Sequence, residues 1–126
     1  MNIALWIVQA LLALALLASG TPKTFGGKAK LMQDPKMTWA QDFPDSTVRF
    51  IGLAEIAAAL GLIAAPLLGV WMWSVVAAAA GVMALMAGAA VVHLRRKENQ
   101  AIAVNIVFIL LAAFVVYGRI VEPLHA

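Results

Sequence analysis

Glu55 is the only carboxylate inside an apolar stretch of this 126-residue chain, flanked by hydrophobic residues and glycine throughout FIGLAEIAAALGLIAA, residues 50–65. A charge in hydrocarbon costs on the order of 3 kcal/mol by insertion scales, so such a group faces a bundle interior and marks a site. The chemistry open to it is that of a proton relay, a counter-ion or the anchor for a ligand's polar end. Lys23, Arg49, His93 and Asn105 have the side-chain types to join it. Each also has a purely structural reading. Lys23 and Arg49 are most simply cations that snorkel to the membrane surface. His93, beside Arg95 and Arg96, reads as an interfacial residue, and Asn105 as interhelical glue of about 1 kcal/mol. For Glu55 the structural reading is an ion pair with Arg49 or Lys23, or an acid kept neutral by desolvation.

The elements that must position these residues follow from composition. Hydrophobic residues make up 64% of the chain and charged ones 12%, against roughly 45–50% and about 25% in soluble domains. This is the composition of an integral membrane protein forming one domain over residues 1–126. Four apolar segments, at about 3–19, 48–65, 70–94 and 101–118, each approach the ~20 residues that cross ~30 Å of hydrocarbon. Their Ala- and Leu-rich runs lack the alternation of barrel strands, so an all-α bundle of four transmembrane helices is expected. The first segment lacks the positive n-region of a signal peptide and is expected to stay as a helix, ending at Gly20 and Pro22.

Charge sets the expected orientation. Lys23, Lys28, Lys30, Lys36 and Arg49 flank or fill the first loop, Arg95, Arg96 and Lys97 fill the third, and Arg119 stands alone at the other side. By the positive-inside rule both charged loops are expected in the cytoplasm and both termini outside. Trp6, Trp71, Trp73 and Tyr117 then form an outer aromatic belt, with Trp39 at the inner boundary. The first loop, carrying Phe25, Met32, Met37, Trp39 and Phe43, is expected to lie partly along the interface. Asp45 or Ser46 is placed to cap the second helix.

At 1.5 Å per residue, Glu55 lies about 9 Å deeper than Arg49, and Asn105 at a comparable depth from the same side. His93 and Lys23 are near that side as well, so all five polar groups are expected in one half of the membrane. Small residues recur on two helix faces, Ala54, Ala58, Gly61 and Ala65, and Ala77, Gly81, Ala84 and Gly88. They read as packing within the chain, with a homo-oligomer contact as the second reading.

Several chemistries are excluded by residue type. Zero cysteines leave no disulfide, thiolate metal site or thiol redox couple. His93 and His125 fall on opposite faces, against bis-histidine haem ligation. A single intramembrane carboxylate does not make a di-iron site or an acid–base pair within one chain. Gly26-Gly27-Lys28 lacks the spacing of a phosphate-binding loop. No metal, no cofactor held by the chain alone and no nucleic-acid partner is expected.

The stretches SGTPKTF, WAQDFPDSTVRFIGLAEIAAALGLIAAP and AAVVHLRR resemble the DoxX-like family of small bacterial membrane proteins. The resemblance covers nearly the whole chain. It rests on Gly20 with Lys23, on Arg49, Gly52 and Glu55 followed by Gly61 and Pro66, then on His93, Asn105 and the Tyr117-Gly118-Arg119 ending. Thr24 departs from it, standing between Lys23 and Phe25 where members often pair the lysine directly with Leu or Phe. The wider group is linked to thiosulfate and quinone chemistry and to oxidant-defence assemblies, and looks distantly similar to four-helix proteins that bind sterol-like molecules.

Three functions are compatible with these residues. The first is an accessory or ligand-binding membrane component without a complete active site, holding a small apolar or lipid-like molecule with Glu55 and Asn105 at its polar end. The second is a membrane subunit of a quinone-linked oxidoreductase, with Glu55 or His93 relaying protons and a redox-protein partner supplying electrons. The third is a proton-coupled exporter with Glu55 as carrier. Membrane lipid is a partner in every case.

Overall fold

The computed structural model describes residues 2–69 and 73–122, apart from the side chain of Lys36. Four helices make up most of it: α1 (Asn2–Leu31), α2 (Asp45–Leu67), α3 (Ser74–Arg95) and α4 (Asn99–Val121). Each is long and apolar enough to cross a membrane, and the described residues contain no strand. The protein is an all-α, multi-pass membrane bundle. Trp71 and His125, assigned above to one face, lie outside the described residues.

The first helix corrects the expected boundary at Ser19. It runs through Gly20 and Pro22 to Leu31, so at 1.5 Å per residue its 30 residues extend about 45 Å, well beyond the hydrocarbon. A proline inside a helix removes one backbone hydrogen bond and is tolerated in membrane helices where neighbouring packing holds the turn. Here Gly20 and Lys23, on either side of Pro22, are both buried, and their contacts with α2 hold the turn. The real break is at Gly27, with φ 66 and ψ −164, in the left-handed region that favours glycine. Asp45 Oδ1 accepts the Lys28 N–H there at 2.9 Å. Neither Asp45 nor Ser46 caps α2, whose first turn follows Pro44 without a side-chain cap; the Asp45 carboxylate is turned to α1 instead.

Beyond α1 the first loop folds on itself. A 3-10 segment spans Pro35–Asp42, and Leu31, Ala40 and Val48 form a small core against Met32, Met37, Trp39 and Phe43. Most of the residues expected to anchor the loop in the interface are thus packed in a second core, while Phe25 stays exposed.

The last turns of α2 widen into a π turn, Leu60–Ala64. Pro66 explains it. Without an N–H it offers no donor to the carbonyls of Gly61 and Leu62, which lie five and four residues before it. Side chains from other helices fill both places: Ser74 Oγ donates to Gly61 O at 2.9 Å and Gln9 Nε2 to Leu62 O at 2.7 Å.

α1 packs chiefly on α2 and α3 on α4, giving two helix hairpins. They meet around Leu12, Leu16, Leu62, Val82, Ala112 and Val115. At the end carrying the 3-10 segment and the α3–α4 turn, here the charged end, the hairpins part. The 3-10 segment bridges the gap, held by Arg96, which donates to Asp42 Oδ2 and to Thr38 Oγ1, both at 3.0 Å.

Candidate functional site

The site begins at the α1–α2 crossing. Gly20 stands opposite Glu55, and Gly52 opposite Lys23: a Cβ on Gly20 would lie 3.0 Å from Glu55 Cβ and 2.7 Å from Gly52 O, and one on Gly52 2.8 Å from Lys23 Cβ. Each glycine makes room for the charged residue of the other helix. The two helices therefore approach backbone to backbone, and the side chains close diagonally across the gap.

Lys23 Nζ donates to Glu55 Oε1 at 2.5 Å and to Ser19 Oγ at 2.7 Å. The Trp39 ring lies over the same ammonium, 5.7 Å from it to the ring centroid, within cation–π range. Lys23 is thus buried and inward-facing, not a snorkelling anchor. Glu55 is 2% exposed, and pairing offsets the cost that an isolated charge would carry there.

Arg49 is not part of this site. It is exposed, donating to Asp45 Oδ2 at 2.8 Å and to the Thr24 carbonyl at 2.9 Å. Six residues at 100° each place it about 120° round α2 from Glu55, so the two cannot share a face. The expected ion pair between Arg49 and Glu55 is therefore replaced by one with Asp45.

Lys23, Glu55, His93 and Asn105 line one cavity of about 990 Å³ between the hairpins at the charged end. Its floor is apolar, with Leu16, Met86 and Phe108, and Met37, Trp39 and Phe43 of the first loop contribute to its wall. His93 Nδ1 is 2.8 Å from Glu98 Oε1, and with a carboxylate as acceptor the imidazole donates. That bond first, and the charge of Arg96 next, hold Glu98 below the usual carboxylate range. Asn105 is 7% exposed, and its Nδ2 has no hydrogen-bond partner among the described residues. Among those residues no group of three His, Asp or Glu gathers to hold a metal.

A second polar network, unforeseen from sequence, lies at the opposite end. Arg119, 4% exposed, donates through Nε to Gln9 Oε1 at 2.8 Å and through Nη1 to Asn2 Oδ1 at 2.7 Å. Its guanidinium lies 5.5 Å from the centroid of the Trp6 ring. The signal available was Gln9, an amide in an otherwise apolar run; it serves Arg119 with one atom and the carbonyl stranded by Pro66 with another.

The sequence profile of the DoxX-like family matches residues 7–115. This chain belongs to the DoxX-like family. The match takes in every residue of the cavity named here and stops short of Arg119. Comparisons with curated proteins and with solved structures return no match.

Proposed function

We propose that this DoxX-like chain is a membrane-embedded binding or accessory protein whose cavity holds a small, largely apolar molecule, its polar head beside Asn105 and the Lys23–Glu55 pair. One observation carries the reading: Asn105, whose buried Nδ2 lacks a partner among the described residues, lines a cavity of about 990 Å³. A buried donor left without a partner costs about 1–3 kcal/mol. A ligand head that accepts from it recovers that cost, and the apolar floor and the aromatic side chains receive the rest of the molecule.

Glu55 in this reading is a fixed counter-ion. Its bond to Lys23 speaks against a carboxylate that cycles alone between protonated and ionised states, as an exporter would need. The quinone-linked alternative draws on the same cavity, with His93 and Glu98 as the proton-bearing pair at its wall.

The test is native mass spectrometry of protein purified from native membranes in mild detergent, comparing wild type with Asn105→Leu. Wild type is expected to carry a lipid-like mass that the variant loses. The variant, with its unpaired amide gone, is expected to unfold at higher temperature when ligand-free. A wild-type protein that retains no small molecule and takes up none from membrane lipid extract would sink the proposal.

A further inference from the structure

Gly88 indicates where the cavity opens. It lines the cavity together with Ala84 and Leu85, yet Gly88 and Ala84 each lie about 160° round α3 from Met86 at 100° per residue. Met86 is buried in the core between the hairpins, while Ala84 and Gly88 are exposed. Apart from its chain neighbours and the backbone of its own helix, nothing lies within 4 Å of where a Cβ on Gly88 would be. The cavity therefore reaches the lipid-facing side of α3 at a place where no side chain covers it.

A second observation puts the opening at the α2–α3 seam. A groove of about 410 Å³ runs between these helices, lined by Ala54, Ala58 and Gly61 on one side and Ala77 and Gly81 on the other, and Leu85 lines both groove and cavity. The expected packing of the α3 small-residue face within the chain is thus absent at Gly81 and Gly88, where nothing lies within 4 Å. On α4 the wall carries a branched side chain, Val104. At the charged end the 3-10 segment crosses the gap, fastened by Arg96.

The polar groups limit the ligand's chemistry. Lys23 and Glu55 compensate each other, and His93 and Glu98 are hydrogen-bonded. Among the described residues lining the cavity, the buried donor without a partner is the neutral amide of Asn105, beside which a buried charged head would find no unpaired counter-ion. A carbonyl or hydroxyl oxygen would accept from its Nδ2.

We propose that the cavity takes up a neutral, bilayer-dissolved molecule with a carbonyl or hydroxyl head, which enters sideways between α2 and α3 past Ala84 and Gly88. This rests on the reading of the cavity as a binding site and adds the route and the head group to it.

Because the chain contains no cysteine, Ala84→Cys and Val107→Cys each introduce a unique thiol that can be benzylated with a methanethiosulfonate after the protein has folded in nanodiscs; Val107 is exposed on α4 and does not line the cavity. The probe is a long-chain methyl ketone bearing a diazirine, compared with the carboxylic acid and the amine of equal chain length. The ketone is expected to label cavity residues saturably, with the acid and amine at least tenfold weaker. Benzylation of Ala84→Cys is expected to slow ketone labelling at least tenfold without lowering its plateau, with dithiothreitol restoring the rate, while benzylated Val107→Cys labels at the unmodified rate. Equal labelling by the three probes overturns the neutral head. An unchanged rate or a lowered plateau in benzylated Ala84→Cys, or slowing in Val107→Cys instead, overturns the route. Absence of saturable labelling of wild type in both nanodiscs and detergent overturns the binding reading itself, an outcome distinct from the others.

Discussion

Lys23 and Glu55 are buried together, with side-chain exposures of 11% and 3%, so neither can be removed without leaving the other's charge in a poorly solvated site. Truncating one partner of such a pair costs about 3–5 kcal/mol, whereas replacing both with apolar residues of similar size is often neutral. Glu55→Ala is expected to lose stability in that range in detergent unfolding experiments, and Lys23→Met with Glu55→Leu to recover most of it. A double variant as unstable as the single one would show that the pair does more than neutralise itself. Glu98 gives a pH prediction. The hydrogen bond from His93 holds its folded pKa below the ordinary value of 4.5, so its contribution is present above that value and lost as pH falls through the folded one. Glu98→Gln is expected to be less stable than wild type near neutral pH, with the two melting curves converging as pH falls through the folded pKa of Glu98. Curves that stay parallel would remove the His93–Glu98 bond from the account.

The helices depend on glycine at the crossing and on borrowed hydrogen bonds at the π turn. A methyl group on Gly20 or Gly52 would meet backbone carbonyl oxygen at 2.7 Å, which only separation of α1 and α2 relieves. Gly20→Ala and Gly52→Ala are each expected to cost about 1–3 kcal/mol as overpacking. Gly81→Ala, with nothing within 4 Å, is expected to be neutral or stabilising by up to about 1 kcal/mol. Similar values at the crossing and at Gly81 in thermal unfolding would contradict the packing described. Gln9 of α1 supplies a donor to the Leu62 carbonyl of α2, and Pro66→Ala would restore a backbone N–H nearby. Gln9→Leu is therefore expected to cost less in the Pro66→Ala background, with a coupling of about 0.5–2 kcal/mol in a double-mutant cycle.

Across the whole molecule, two hairpins share a core at one end and enclose a cavity at the other, with Arg96 joining the 3-10 segment of one to the α3–α4 turn of the other. Arg96 is part-buried, at 21% side-chain exposure, and its contacts to Asp42 and Thr38 link residues more than fifty positions apart. Arg96→Ala is expected to raise amide exchange across residues 35–42 by about tenfold, the equivalent of about 1.4 kcal/mol in local opening, with α1 to α4 unchanged. Uniform acceleration over all four helices would instead make Arg96 a determinant of global stability.

Hydrophobic length and composition determined the four spans, because a bilayer admits little else than helices from such segments, and an isolated carboxylate in an apolar run determined that Glu55 had to be paired or functional. Lys23 and Asn105 were legible as its companions from depth alone. Direction was not legible: Arg49 stands on the same helix as Glu55 but points away, and Lys23, read as a surface anchor, turns inward because Gly52 leaves it room. Pro22 read as a stop since local propensity knows nothing of the Gly20–Gly52 crossing that carries α1 onward. Gln9 and Arg119 were missed for the same reason, their partner groups lying on other helices. What only the tertiary structure decided was which polar groups meet, because helix rotation and backbone approach depend on contacts far apart in the chain, while burial in lipid is written residue by residue.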